Sequence, residues 1–356
     1  MAAINRIRSR RRTRDATSET AGLVVGRRVS GEQLILPRPS GDPLHALVSG
    51  TTGAGKTVFL WAWIGGLAGL DDVALVGMDP KRTGLSPWAP RFTTVAKSVT
   101  ECSRLAVALW EEVDRRLDVM DNLGAVEWRT EFGGPFIVVV GDELVEIASL
   151  DGSRITDVFS AEALTAGLDE ISAKDRAERV NDLGREMRGA KTSREAQGMF
   201  LASLARMCRS AGVMIIGATQ YPMSTVIDPQ FRSNMGIRVM LRVPSDEMIP
   251  VCLGQGQHQD VTSDSISVEE RGGLWVTGLY SARPIRARGL YVTIDDVTDR
   301  ANATAHLRWT AERVFPTQEP PDPTPAGMPV PGLSPDDNGS ALPSPVGTGV
   351  LLGGGG

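Results

Sequence analysis

The 356-residue sequence contains few of the residues from which metal centres and disulfides are built. It has three cysteines and three histidines, and neither type shows the close spacing of a zinc site or a CxxC redox pair. A few isolated thiols are typical of proteins in a reducing compartment, which favours a cytoplasmic location. A disulfide-stabilised secreted fold is therefore not expected.

Long apolar runs are also missing. No stretch reaches the roughly 18 consecutive apolar residues that a membrane-spanning helix needs, so we expect no transmembrane segment. The longest apolar run, at 58–70, follows a glycine-rich loop and is better explained as a buried helix. The basic residues at 1–15 are not followed by an apolar core, which argues against a secretory signal.

The net charge of −5 does not exclude a nucleic-acid partner. Four of the 43 acidic residues lie at 316–356, which holds no lysine or arginine. Without them, 39 acidic residues face 38 basic ones. A chain close to neutral can still bind DNA where its basic residues cluster.

Three segments lack the pattern of a packed core. Residues 1–20 form a basic arm with six arginines, and 316–356 are rich in proline and glycine. We expect disorder in both; the arm is either a solvated tail or a contact for DNA phosphates or an anionic membrane. The polar stretch at about 151–195 predicts a helical insertion, either solvated or partner-contacting. Residues 21–315 are then one large domain.

Within that domain, strand and helix patterns alternate. Apolar segments typical of buried strands lie at 44–49, 73–78, 136–140, 213–216 and 237–241, and helical patterns at 56–67 and 99–123. Such alternation predicts an α/β fold with a doubly wound, mainly parallel sheet. Two further apolar segments, at 274–276 and 290–292, favour a late antiparallel addition.

One segment matches the phosphate-binding loop pattern GxxxxGK[ST] in full, between a predicted strand and a predicted helix. It reads Gly50, Thr51, Thr52, Gly53, Ala54, Gly55, Lys56 and Thr57. The glycines let successive backbone N–H groups face phosphate oxygens at a helix N-terminus. Lys56 is predicted to contact the β- and γ-phosphates of ATP, and the Thr57 hydroxyl to bind Mg²⁺.

Polar residues end two other predicted strands. Asp142 and Glu143 follow the apolar run at 136–140. We expect Asp142 to hold Mg²⁺, largely through water, and Glu143 to act as the base for an attacking water; a plain helix cap is the alternative. Gln220 follows the strand at 213–216 and is predicted to sense the γ-phosphate, with a loop-capping role as the alternative.

These and other segments resemble the FtsK/SpoIIIE family of DNA-pumping ATPases, in the family's order, over about residues 25–292. The residues that carry the resemblance, besides the phosphate loop, are Pro43, His45, Met78 to Lys81, Trp110, Arg115, Arg116, Met120, Leu123, Gly124, Asp142 to Leu144, Arg209 to Gly212, Ala218 to Gln220, Arg238 and Arg242. The phosphate loop alone is unspecific, whereas the segments at 79–81 and 218–220 together are much more specific.

The resemblance implies a RecA-like motor that assembles as a hexameric ring and pulls double-stranded DNA through its centre. It also implies an arginine that reaches the γ-phosphate held by a neighbouring subunit. Arg238 is the preferred candidate, and Arg242 and Arg209 are the others. A surface or subunit salt bridge is the alternative for each.

Three features depart from the family pattern. We expect neither membrane-spanning segments nor a winged-helix module after residue 292, and the predicted insertion at 151–195 separates the acid pair from Arg209. A compact motor of this kind is similar to the soluble FtsK-like transfer proteins of actinobacterial mobile elements. The resemblance then implies membrane-associated transfer partners and recruitment to the inner face of the membrane.

The leading hypothesis is an ATP-driven double-stranded DNA translocase that serves plasmid or integrative-element transfer. A second hypothesis is a protein-export motor, because type VII secretion ATPases use an FtsK-like domain. Those proteins usually carry several such domains in tandem, and this sequence shows one phosphate loop. A third is a nucleotide-gated scaffold without hydrolysis, against which Lys56, Asp142 and Glu143 argue.

Overall fold

The computed structural model describes residues 22–148, 193–220, 227–256, 260–279, 281 and 283–316, together with Lys174, Ala177 and Glu178. The predicted arm at 1–20 and nearly all of the predicted tail and insertion lie outside the described residues. What the sequence predicts for those three segments therefore stays a prediction.

The strands that the structure describes form one mixed sheet of ten. They are β1 (Leu23–Arg28), β2 (Gln33–Leu36), β3 (Ala46–Ser49), β4 (Val73–Met78), β5 (Thr94–Ala96), β6 (Phe136–Asp142), β7 (Val213–Thr219), β8 (Ile237–Met240), β9 (Gly273–Thr277) and β10 (Ile285–Gly289). Their order is β2-β1-β10-β9-β8-β3-β7-β6-β4-β5. In this spatial order, the five strands that follow β8 (β3, β7, β6, β4 and β5) continue from it in parallel. The first five strands (β2, β1, β10, β9 and β8) pair antiparallel with one another.

Helices cover both faces of this sheet. They are α1 (Lys56–Leu67), α2 (Val99–Leu123), α3 (Leu144–Ala148), α4 (Ser193–Cys208), α5 (Pro229–Ser233), α6 (Ile249–Leu253), α7 (Ile294–Ala303) and α8 (Ala311–Val314). Helices α1 and α7 pack on one face and α2 and α4 on the other. Because both faces are covered, β4, β6 and β7 are buried at every position. The predicted doubly wound, mainly parallel α/β fold is confirmed.

Helix α2 has the bounds that the sequence predicts, because both of its ends carry capping signals. The Ser98 hydroxyl accepts the Glu101 N–H, and Gly124 ends the helix in the left-handed conformation, with φ 60°. Its 25 residues are amphipathic. Among the described helices, none is both long and apolar enough to cross a bilayer.

The antiparallel part of the sheet departs from the predictions in its details. The segment at 274–276 lies within β9, but the predicted strand at 290–292 is wrong, since β10 ends at Gly289. In β10 only Ala287 is buried, and the apolar signal lies instead on Leu290 and Tyr291, whose side chains are exposed. The hairpin of β1 and β2 was not predicted, nor was the short strand β5 in the parallel part of the sheet.

His45 connects three elements from within the core. Its Nδ1 accepts the Ile215 N–H at 3.0 Å, and its Nε2 donates to the Ala205 carbonyl at 2.7 Å. Burial lowers the pKa of this imidazole to about 4. The ring is therefore neutral near pH 7, and it joins the entry to β3 with β7 and α4.

The His45 pKa predicts a pH-dependent stability. Unfolded histidine titrates near 6.5, so between about pH 6.5 and 4 the unfolded chain binds a proton that the folded chain does not. Folding is thus destabilised as the pH falls through this window. From pH 7 to pH 5 we expect a loss of roughly 2 kcal/mol from this residue.

Urea unfolding of the wild type and of His45→Gln at both pH values measures the effect. A glutamine amide keeps one donor and one acceptor but does not titrate, so the variant should lose less stability on acidification. Equal losses in the two proteins would contradict the assignment.

Candidate nucleotide-binding site

The loop at 50–57 joins β3 to α1 at the carboxyl edge of the parallel strands. Gly53 and Gly55 have φ values of 78° and 100°, a region that side chains other than glycine rarely adopt. The Gly50 N–H donates to the Thr219 carbonyl at 3.2 Å, and the Thr51 N–H donates to the Arg242 carbonyl at 3.0 Å. The loop is therefore fastened to the chain leaving the strands on either side of β3.

The same loop packs on the turn that precedes β9. The Gly272 N–H donates to the Ala54 carbonyl at 2.9 Å. A Cβ atom on Gly55 would lie 3.0 Å from the Gly272 nitrogen, tighter than ordinary packing allows. Glycine at 55 thus serves both the conformation of the loop and its close contact with this turn.

The structure brings the lysine of the loop together with the paired acids. The Lys56 Nζ lies 3.8 Å from Asp142 Oδ1 and 3.8 Å from Glu143 Oε2, and all three residues are buried. Burial raises the pKa of the Asp142 carboxyl, and the Lys56 ammonium opposes that rise. An incoming phosphate would compete with these carboxylates for the ammonium.

Glu143 has a left-handed backbone, with φ 72°, which is uncommon for a residue with a side chain. Its Oε1 accepts hydrogen bonds from the Thr219 hydroxyl and the Gln220 N–H, both at 3.2 Å. The Gln220 side-chain oxygen in turn accepts the Thr52 hydroxyl at 2.9 Å. Gln220 therefore bridges Thr52 of the phosphate loop and Glu143.

A cavity of about 740 Å³ lies over the phosphate loop. Besides loop residues and Gln220, it is lined by a group that the sequence analysis missed: Glu269, Arg271, Gly272, Arg288, Gly289, Leu290 and Tyr291. The Tyr291 side chain is 82% exposed. The signal was present in the apolar pair at 290–291, which was interpreted as a strand.

Lys81 is a second residue whose place at the site was missed. It was noted only as part of the family resemblance, yet its Nζ lies 3.4 Å from Glu143 Oε2. The available signal was its position three residues beyond the end of β4, which pairs with β6.

The three candidate arginines have different surroundings. Arg238 donates to the main-chain carbonyls of Arg232, Met235 and Val251. Arg209 pairs with Asp42 at 2.6 Å and also donates to the Pro43 carbonyl. Arg242 is half-buried, and its carbonyl holds the phosphate loop. Their action on a neighbouring subunit stays a prediction.

A parallel α/β sheet with a glycine-rich phosphate loop and two facing acids defines a P-loop nucleotide-binding protein of the RecA-like type. A family model described as "FtsK/SpoIIIE family" matches residues 5–224. The chain belongs to the FtsK/SpoIIIE family.

Curated relatives agree with this assignment. The chain is 24% identical over 305 residues to the DNA translocase FtsK of Listeria monocytogenes, covering 80% of this chain and 34% of the relative. It is 23% identical over 294 residues to the DNA translocase SpoIIIE of Bacillus subtilis, covering 77% and 31%. The chain thus spans about a third of the length of these relatives.

Solved structures share the fold at lower identity. The monomer form of the pCW3 conjugation coupling protein TcpA with ATPγS is 19% identical, with a TM-score of 0.55 over 82% of this chain and 72% of that one. The cytoplasmic domain of the type VII secretion ATPase EccC from Thermomonospora curvata is 18% identical, with a TM-score of 0.57 over 83% and 32%.

The contact between the phosphate loop and the Gly272 turn gives a prediction. In Gly55→Ala the new Cβ must push the loop off the turn, because it would lie 3.0 Å from the Gly272 nitrogen. We expect the Kd for ATPγS, measured by calorimetry, to rise by at least about tenfold.

Gly31→Ala is the matched control. Gly31 also has a left-handed backbone, with φ 95°, but nothing lies within 4 Å of its Cβ position, in the turn between β1 and β2. It should lose a similar amount of conformational stability and keep its nucleotide affinity. Unchanged affinity in Gly55→Ala would contradict the role given to the contact.

Proposed function

We propose that this protein is an ATP-driven translocase of double-stranded DNA, which acts in plasmid or integrative-element transfer. The observation that carries the proposal is the meeting of Lys56, Asp142 and Glu143 below the phosphate loop, in a chain of the FtsK/SpoIIIE family. Binding needs only the loop and its lysine, whereas hydrolysis needs a base as well, and Glu143 is in place.

In this proposal the triphosphate of ATP occupies the loop at 50–57, and Lys56 turns from the two acids to the β- and γ-phosphates. The Thr57 hydroxyl and the Asp142 carboxylate are the hard oxygen donors that Mg²⁺ prefers, and they would hold it. When bound, Mg²⁺ neutralises charge on the phosphates. Glu143 takes the proton of the water that attacks the γ-phosphorus, and ADP leaves with the bridging oxygen.

The cavity beside the loop supports a place for the nucleoside. It continues from the loop to Leu290 and Tyr291, which offer an apolar and an aromatic surface. Arg271 and Arg288 add positive charge to the same cavity. We place the base against the Tyr291 ring and the ribose between it and the loop.

The names of the relatives support DNA as the cargo, since FtsK and SpoIIIE are both called DNA translocases. A motor that moves along a duplex regardless of sequence contacts mainly phosphates, so its DNA binding should weaken with salt. We further propose a hexameric ring with an arginine from each neighbour at the γ-phosphate. We also propose that the protein acts in the cytoplasm and is recruited by transfer partners to the inner face of the membrane.

Stimulation of hydrolysis separates this function from its alternatives. The ATPase rate is measured for the protein alone, with duplex DNA and with a candidate export peptide. We expect duplex DNA to raise the rate severalfold, and the effect to decline as salt is added. A response to peptide alone would support the secretion hypothesis, and no turnover under any condition would support a scaffold.

Two variants serve as controls for that assay. Glu143→Gln should bind ATPγS like the wild type and hydrolyse ATP at least about 100-fold more slowly, because it lacks the base. Lys56→Ala should lose nucleotide-dependent activity while its circular dichroism spectrum stays unchanged.

The nucleoside position has its own test. Loss of an aromatic stacking surface costs about 1–3 kcal/mol per base, so Tyr291→Ala should raise the Kd for ATPγS by about tenfold. Tyr291→Phe keeps the ring and should bind like the wild type. Equal affinity of all three proteins would place the base elsewhere.

A further inference from the structure

The structure describes two non-glycine residues with positive φ, and they lie in the two loops that the Lys81–Glu143 contact joins. They are Arg82, with φ 61°, and Glu143, with φ 72°. Arg82 follows β4 and Glu143 follows β6, and these strands pair in parallel. Such backbone conformations cost free energy and concentrate at functional sites. The two loops are therefore candidates for parts of one catalytic arrangement.

The loop at 79–85, which contains Arg82, is fixed from within. The buried Asp79 carboxylate accepts the N–H groups of Gly84 at 3.0 Å and of Leu85 at 2.9 Å. The Gly84 carbonyl accepts the indole N–H of Trp61 on α1 at 2.7 Å. The loop thus holds its shape through hydrogen bonds within the protein.

This loop is pressed against the paired acids. A Cβ atom on Gly84 would overlap the Asp142 carboxylate, so any larger residue there would have to displace that carboxylate. Lys81 extends over the neighbouring acid, with its Nζ 3.4 Å from Glu143 Oε2 and 3.8 Å from Glu146 Oε1. The Lys81 side chain is 40% exposed, whereas the Glu143 side chain is almost fully buried.

Two lysines consequently share one carboxylate oxygen. The Lys56 Nζ lies 3.8 Å from Glu143 Oε2, and the Lys81 Nζ lies 3.4 Å from the same atom. In the proposed function Lys56 turns to the phosphates. Glu143 Oε1 then still accepts hydrogen bonds from Thr219 and Gln220, and Lys81 is the one of the two lysines that still pairs with Oε2.

We propose that Lys81 is a positioning residue that holds Glu143 in its hydrolytic orientation once Lys56 has turned to the nucleotide. This inference rests on the proposed function. A base held at both oxygens has one orientation, and a displacement of about 1 Å from the productive geometry can cost 100-fold in rate. Because its Nζ contacts Glu143, the inference assigns Lys81 to the chemical step and not to nucleotide affinity.

The test compares kcat with nucleotide affinity in Lys81→Ala and Lys81→Met. We expect kcat for ATP to fall by about 10- to 100-fold, with the ATPγS Kd within about twofold of the wild type. Lys81→Met keeps most of the aliphatic part of the side chain. A fall in kcat that Lys81→Ala and Lys81→Met share therefore comes from the loss of the ammonium group. Lys81→Arg keeps the charge and should recover most of the rate.

Lys97→Ala is the matched control, because it removes the same charge from an exposed residue close to this loop. Its kcat should equal that of the wild type. Unchanged kcat in Lys81→Ala overturns the inference, as does a raised Kd with unchanged kcat, which would make Lys81 a phosphate ligand. A loss that Lys81→Arg does not recover, with a lowered Tm, also overturns it in favour of a structural role.

The two proposals fail in different ways. If the wild type hydrolyses ATP and Lys81→Ala does so equally well, the inference fails and the proposed function stands. If the wild type hydrolyses no ATP under any condition, both fail.

Discussion

The site depends on one buried charge cluster, in which the Lys56 ammonium stands between the carboxylates of Asp142 and Glu143. Charged groups removed from water are costly unless they are paired. Here the cation comes from α1, which follows β3, while the acids come from the end of β6. The strand between them, β7, ends in Thr219, whose hydroxyl supports Glu143. The strand order β3-β7-β6 is therefore what allows the cluster to form.

Several residues that carry the family resemblance stabilise the core and lie outside the nucleotide site. The buried Arg116 guanidinium donates to the carbonyls of Pro135 and Ala211 and lies 4.4 Å from the centre of the Trp128 ring. His45 likewise bridges main-chain groups of β7 and α4. These contacts satisfy carbonyl and N–H groups that would otherwise be buried without partners. Family resemblance at such positions therefore indicates the shared fold. The residues at the carboxyl ends of the strands are the ones that indicate the nucleotide site.

The sequence was sufficient for the parallel strands other than β5 and for the phosphate side of the site. Helix α1 and the acid pair follow from local signals: a glycine loop, a β-branched run and the polar residues after it. The cavity wall at 269–291 was not predictable in this way, since it meets the loop at 50–57 across more than two hundred residues. Its strand, β10, buries a single side chain and so lacks an apolar pattern.

The contact of the phosphate loop with the Gly272 turn also has a mechanical consequence. The Ala54 carbonyl accepts the Gly272 N–H, the Gly272 carbonyl accepts the Gly289 N–H, and the Leu290 N–H donates to Val25 in β1. These bonds form a short, stiff linkage from the loop to the antiparallel edge of the sheet. A shift of the loop would therefore be transmitted through main-chain hydrogen bonds to the hairpin of β1 and β2, at the edge of the sheet farthest from Asp142 and Glu143.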